Sequence, residues 1–161
     1  ANFSYMFYLL KVQQNLSQQL SFILPIFFYI LSNVFYALFS IPFGKLSDRI
    51  GRKEVLSFGY LLLFLVCLGF AFLSFQFFLL LFPLYGIVNA ITDGNQRAFV
   101  SDLSRRRIRA TALGTYHTLQ GFASLVSSII AGFLWQFNPF FTFLYGSCLS
   151  FLSFILLKKI L

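Results

Sequence analysis

The sequence predicts an all-α membrane protein, a single six-helix domain over residues 1–161, and three observations predict it. Hydrophobic residues make up 59% of the chain and charged residues 10%, where an average soluble domain carries about 25% charge. Long apolar runs are punctuated by short polar breaks, the pattern of successive membrane spans. The formal charge of +8, from 12 Lys and Arg against 4 Asp and Glu, falls on every second connection between those runs. At ~20 residues per span the length accommodates about six helices.

The first helix is a short apolar stretch at about 1–12, ended by Gln13, Gln14 and Asn15. It is too short to cross a bilayer, and the chain starts abruptly at Ala1-Asn2-Phe3, without initiator Met or leader pattern. The expectation is the truncated first helix of a longer protein. The second helix spans about 18–43, with Ser17 as an N-cap whose hydroxyl accepts from a free backbone N–H. A compact charged loop is expected over 44–54. No charged residue occurs between Val55 and Thr92, and one helix of that length would reach about 57 Å, nearly twice the ~30 Å hydrocarbon thickness. Two spans are therefore required. Ser74-Phe75-Gln76 is the polar interruption near the middle, which places helix three at about 55–74 and helix four at about 76–100. Pro83 is the rival break point, but a cut there leaves the next span short, and a membrane helix tolerates Pro as a kink. Helix five is expected at about 109–136 and helix six at about 139–158, with Asn138-Pro139 as the turn between them.

Lys45, Arg49, Arg52 and Lys53 follow helix two; Arg105, Arg106, Arg107 and Arg109 follow helix four; Lys158 and Lys159 follow helix six. The intervening turns hold no basic residue, and the first connection has only Lys11. This is the positive-inside pattern, and it predicts that both ends of the unit face the cytoplasm. An arginine run between two spans is not a nucleic-acid site. The spans offer no paired carboxylates, metal-ligand cluster or activated nucleophile, and no phosphate loop is present, so no enzyme, cofactor or metal is expected. Cys67 and Cys148 lie in apolar runs and read as packing residues.

The charged segment reads Gly44-Lys45-Leu46-Ser47-Asp48-Arg49-Ile50-Gly51-Arg52-Lys53. It resembles the signature loop of the major facilitator superfamily, G-x-L-(S/A)-D-R-x-G-R-(R/K), which that family carries between the second and third helices of a six-helix unit. A second stretch is similar to the fourth-to-fifth helix connection of many bacterial members: Thr92-Asp93-Gly94, Arg97-Ala98, Ser101-Asp102-Leu103, Arg109-Ala110-Thr111-Ala112 and Gly114. The resemblance implies a twelve-helix protein in two halves. N-terminal halves commonly carry an Arg four residues before a Gly in helix four, where this chain has Phe82 before Gly86. Exporters of the antiporter type often carry a Gly-Pro step in helix five, where this chain reads Val126-Ser127-Ser128. Both departures, and a terminus that follows helix six directly, favour the C-terminal half, helices seven to twelve with the first truncated.

The resemblance further implies a conformational switch formed by Gly44, Asp48, Arg49, Gly51 and Arg52, latching the cytoplasmic helix ends in one state and releasing them in another. The two glycines would bracket a turn, since Gly takes positive φ without steric cost. Asp48 would sit at the N-terminus of the fifth helix, near Arg109, where the helix dipole favours negative charge. Arg49 and Arg52 would pair with Asp93 or Asp102, and Asp93 with Arg97 is an i, i+4 pair of opposite sign. The alternative is that the basic residues only set topology.

Polar residues concentrate on helices four and five, while helices three and six offer little beyond Ser and Tyr. The resemblance implies that the first, second, fourth and fifth helices line a central cavity and the third and sixth face lipid. Asn2, Asn33, Tyr36, Tyr85, Asn89, His117 and Gln120 are expected to line that cavity. The alternative for each is a stabilising bond between helices, about 0.6 kcal/mol on average. His117, the one histidine, is either a proton-coupling group or a hydrogen-bonded cavity residue. Gly114, Gly121, Ser128 and Gly132 are expected to give helix five a close helix contact, and Trp135 to anchor its outer end at the interface.

The function these readings support is the C-terminal half of a secondary active transporter moving a small solute by alternating access. Its partners would be the lipid bilayer, the missing N-terminal six-helix half and a coupling ion or proton. Its place would be the plasma membrane, the inner membrane if the source is bacterial. A different class is a non-transporting membrane remnant or interaction module from a split or truncated gene.

Overall fold

The computed structural model describes residues 4–14 and 20–160. Asn2, expected to line the cavity, and Ser17, expected as an N-cap, lie outside the described residues. Apolar runs become α-helices because a helix satisfies every backbone group within its own segment, which a bilayer demands. They are α1 (Met6–Gln13), α2 (Leu20–Ile50), α3 (Arg52–Phe72), α4 (Phe78–Leu103), α5 (Arg109–Phe137) and α6 (Pro139–Ile160), with 3-10 turns at Phe75–Phe77 and Arg106–Ile108. No strand occurs among the described residues. The five helices α2 to α6 are long and apolar enough to cross a membrane. Pro25 and Pro42 lie inside α2 and Pro83 inside α4.

The segment expected as a charged loop over 44–54 is helical almost throughout. Charged side chains at a membrane surface do not oppose a helix, and Gly44 lies inside α2 with open space where a Cβ would stand. The break is confined to Gly51, whose φ of 105° and ψ of 138° lie in territory that only glycine enters cheaply. Its N–H donates to the Ser47 carbonyl at 3.2 Å, closing α2, and α3 starts at the next residue.

Lipid competes with apolar side chains on equal terms, so membrane helices associate through close fit rather than hydrophobic expulsion. α4 is the hub, packed against α2 on one side and α3 on the other, while α3 packs in turn against α6. The α2–α4 contact is made at Gly86, where a Cβ would overlap the Ser32 carbonyl oxygen. The α3–α4 contact is made at Gly59, where a Cβ would stand 2.6 Å from Ile91 Cγ2. On α6 the buried positions Thr142, Gly146 and Ser150 recur at i, i+4, i+8 and form one small-residue face. Thr142 also donates across to the Ala131 carbonyl of α5 at 3.1 Å.

At the end of the bundle away from Gly51, the gaps are filled by aromatic rings. Phe70 meets Phe78 and Phe82 at 5.2 Å and Phe143 at 5.5 Å. Tyr8 of α1 sits against Phe70 at 4.9 Å and Tyr85 at 4.5 Å, its hydroxyl 3.3 Å from Cys67 Sγ. Such ring pairs contribute about 0.5–1.5 kcal/mol each beyond area burial. Trp135, expected as an interfacial anchor, is half-buried between Phe7 at 5.5 Å and Phe143 at 6.2 Å. The close contact expected of the helix-five stripe does not form among the described residues: nothing there lies within 4 Å of a Cβ on Gly114 or Gly121, and Gly132 meets only Phe7 at 3.9 Å.

Candidate functional site

At the Gly51 end, one arginine joins three helices. Arg52, the first residue of α3, places Nη2 2.9 Å from Asp48 Oδ1 on α2 and donates from Nε to Asp102 Oδ2 on α4. The arginine is 24% exposed, its two carboxylates 63% and 56%. Pairs this open contribute about 0.2–1 kcal/mol each, enough to bias a packing and too little to lock it. The bridge also brings the two basic turns to one end of the bundle. Arg49 and Arg109 take part in neither ion pair. No side-chain hydrogen bond caps the N-terminus of α5, so Asp48 is engaged by Arg52 rather than by that helix end. Arg97 does not pair with the Asp93 carboxylate; its Nε donates to the Asp93 backbone carbonyl at 3.2 Å.

Above this bridge, two cavities share the face of α4 on which Tyr85, Asn89 and Asp93 stand at i, i+4, i+8. The first, about 250 Å³, lies between α1, α2 and α4 and includes Tyr29, Asn33 and Tyr36. The second, about 700 Å³, lies between α3, α4 and α5 below Ser4 and Tyr5. Its wall is tied together by Gln96, which donates to the Tyr60 hydroxyl at 3.0 Å and accepts from the Tyr116 hydroxyl at 2.7 Å. That amide links α3, α4 and α5. A third space of about 310 Å³ opens between α2 and α4 at the Gly51 end, with Gly44, Asp48, Arg52 and Arg97 in its wall.

One helix face is left without a protein partner among the described residues. On α5 only Ser127 and Ala131 are buried, against ten residues on α4. Thr115, His117, Thr118, Gln120 and Ser124 of α5 are exposed. Polar side chains within a span need a protein partner or a hydrated cavity.

The family model described as Major Facilitator Superfamily matches residues 1–160. The chain belongs to the major facilitator superfamily. This superfamily chain is also 55% identical, over 161 residues, to an uncharacterized MFS-type transporter of Methanocaldococcus jannaschii. The match covers 98% of the chain and 40% of the relative, so the chain spans about two-fifths of that relative's length. No solved structure matches it.

In this superfamily chain Asn33, Tyr36, Tyr85 and Asn89 come together at the first cavity, and Gln120 joins Tyr85 and Asn89 at the second. His117 does not join them: it is exposed on α5, its ring edge-on to Tyr116 at 5.2 Å. Asp93, read from the sequence as a salt-bridge partner, stands in the wall of both cavities. The division into cavity helices and lipid helices is less clean than the resemblance implies, because Tyr60 of α3 and Leu157 of α6 also line the second cavity. Sequence reasoning missed Gln96, Tyr60 and Tyr116. The available signal was the i, i+4, i+7 continuation of polarity from Asn89 through Asp93 to Gln96 along α4.

Proposed function

We propose that the chain is the C-terminal half of a secondary active transporter that carries a small solute by alternating access across the plasma membrane, with its basic turns facing the cytoplasm. The observation that carries this reading is the pairing of two polar cavities along α4 with an exposed, weak ion-pair bridge at one end of the same helix. The cavities supply one wall of a solute site, and the Asp48–Arg52–Asp102 bridge is a latch on the helix ends that a change of packing breaks. The polar, uncovered face of α5 supports a missing N-terminal six-helix half as the partner that closes the site. Coupling to a proton or another ion belongs to the same reading and is tested by solute uptake into proteoliposomes with and without a gradient.

The latch has a direct test. In the full-length protein, Asp48→Asn or Asp102→Asn is expected to raise cytoplasmic-side labelling of a thiol placed by Ser124→Cys about fivefold, the shift that ~1 kcal/mol produces. Transport and labelling both unchanged would overturn the latch. The coding sequence immediately upstream is expected to encode a six-helix half.

A further inference from the structure

The second proposal rests on the transporter reading and names the class of solute. We propose that the two tyrosine-walled cavities bind a monovalent organic cation with an apolar body, with Asp93 as its counter-charge.

The charge distribution is the first argument. The chain has 12 basic residues and 4 acidic ones, yet among the described residues Asp93 is the only charged one in the wall of either cavity. Arg97, one turn further along α4, turns its side chain toward the third space, with Asp48 and Arg52. On the wall that this chain supplies, an anionic solute would meet a carboxylate and no cation. A neutral solute would leave that half-buried carboxylate with only Arg97 as a nearby charge, and Arg97 bonds the Asp93 backbone carbonyl rather than the carboxylate. A cation satisfies both.

The aromatic residues make the second argument, independently. Five tyrosines line the first cavity and four the second, two of them shared, so seven of the eight tyrosines in the chain stand there. Among the described phenylalanines, Phe82 and Phe99 alone do. A phenol suits a polar wall, where its hydroxyl finds a partner and an exposed ring face is available to a cation. Tyr8 engages Cys67, Tyr60 and Tyr116 engage Gln96, and Tyr5 and Tyr29 are the exposed rings. Tyr5 and Tyr29 are stacked at 5.5 Å, and Tyr8 and Tyr85 lie 4.5 Å apart, so the first cavity is bounded by paired rings. Ser32 and Asn33 both donate to the Tyr29 carbonyl, at 2.9 and 2.8 Å. The Ser32 donor and one of the two Asn33 N–H donors are engaged by their own helix, and the side-chain oxygens remain as acceptors for a solute.

The test uses two probes of nearly equal shape and opposite charge, tetraphenylphosphonium and tetraphenylborate, with the full-length protein in nanodiscs. Saturable binding of radiolabelled tetraphenylphosphonium is expected, with tetraphenylborate unable to displace it. Asp93→Asn should weaken binding about tenfold while Asp93→Glu restores most of it, and Tyr29→Leu should weaken it as well. An unchanged Kd in Asp93→Asn, or equal competition by the borate, would overturn the proposal. If Asp93→Asn gives no monodisperse protein, competition on the unmodified protein decides, and a preference for the cation below tenfold overturns it. Solute transport without tetraphenylphosphonium binding sinks the cation site and leaves the transporter reading intact. Saturable cation binding without any transport does the reverse.

Discussion

Ser47 shows how much a single position in the signature segment is constrained. It is 1% exposed, at the end of α2, and its hydroxyl is buried with no hydrogen-bond partner among the described residues. A buried donor left unmade costs about 1–3 kcal/mol. Ser47→Ala is therefore expected to stabilise the protein by about 1 kcal/mol, read as a higher melting temperature in detergent, and a lower one would contradict the burial argument. The resemblance allowed Ser or Ala here, which is how a site constrained in size but not in polarity reads. Asp93 was harder to place from sequence. Its i+4 relation to Arg97 suggested a surface pair, while its i−4 and i−8 relations to Asn89 and Tyr85 pointed to the cavity. Both lie on nearly the same face of α4, and only the position of the neighbouring helices separates them.

At the level of elements, the number of helices was legible because hydropathy and chain length leave few alternatives, and the 38-residue uncharged stretch beginning at Val55 needed two spans. The ends were less legible. Polarity marks where a helix leaves the bilayer, not where its hydrogen bonding stops, so α2 runs on to Ile50 through residues read as a loop. Contact surfaces were less legible: spacing singled out Gly114 and Gly121, whereas among the described residues Gly86 and Gly59 carry close approaches, because a glycine signals closeness only where another helix lies. Gly86→Leu should force α2 from α4 and lower stability by about 1–3 kcal/mol, as overpacking does. Thermal unfolding in detergent would check this, and a melting temperature unchanged from the unsubstituted protein would argue against the Ser32 contact.

For the whole molecule, the informative surface is the one left uncovered. Gly121 on α5 has nothing within 4 Å of a Cβ among the described residues. Gly121→Leu is expected to leave the chain by itself no less stable, since Leu is the better helix former, but to cost the full-length protein about 1–3 kcal/mol by crowding the face that the proposed other half would cover. Parallel melting curves of the two forms would check it, and equal effects would remove α5 from the interface. The sequence pointed to this face through its polar residues, but could not show that the chain itself leaves it bare. The interior prolines have a mechanical meaning as well. Each removes one backbone hydrogen bond from its helix and lowers local bending stiffness. All three belong to α2 and α4, whereas α3 and α5 contain none and α6 has only Pro139 at its first position. The walls of the first cavity are thus the compliant elements, mounted on a stiffer α3–α6 pair. A bilayer that thins or stretches should bend α2 and α4 before it bends that mount, which makes membrane thickness a variable to which the cavity responds.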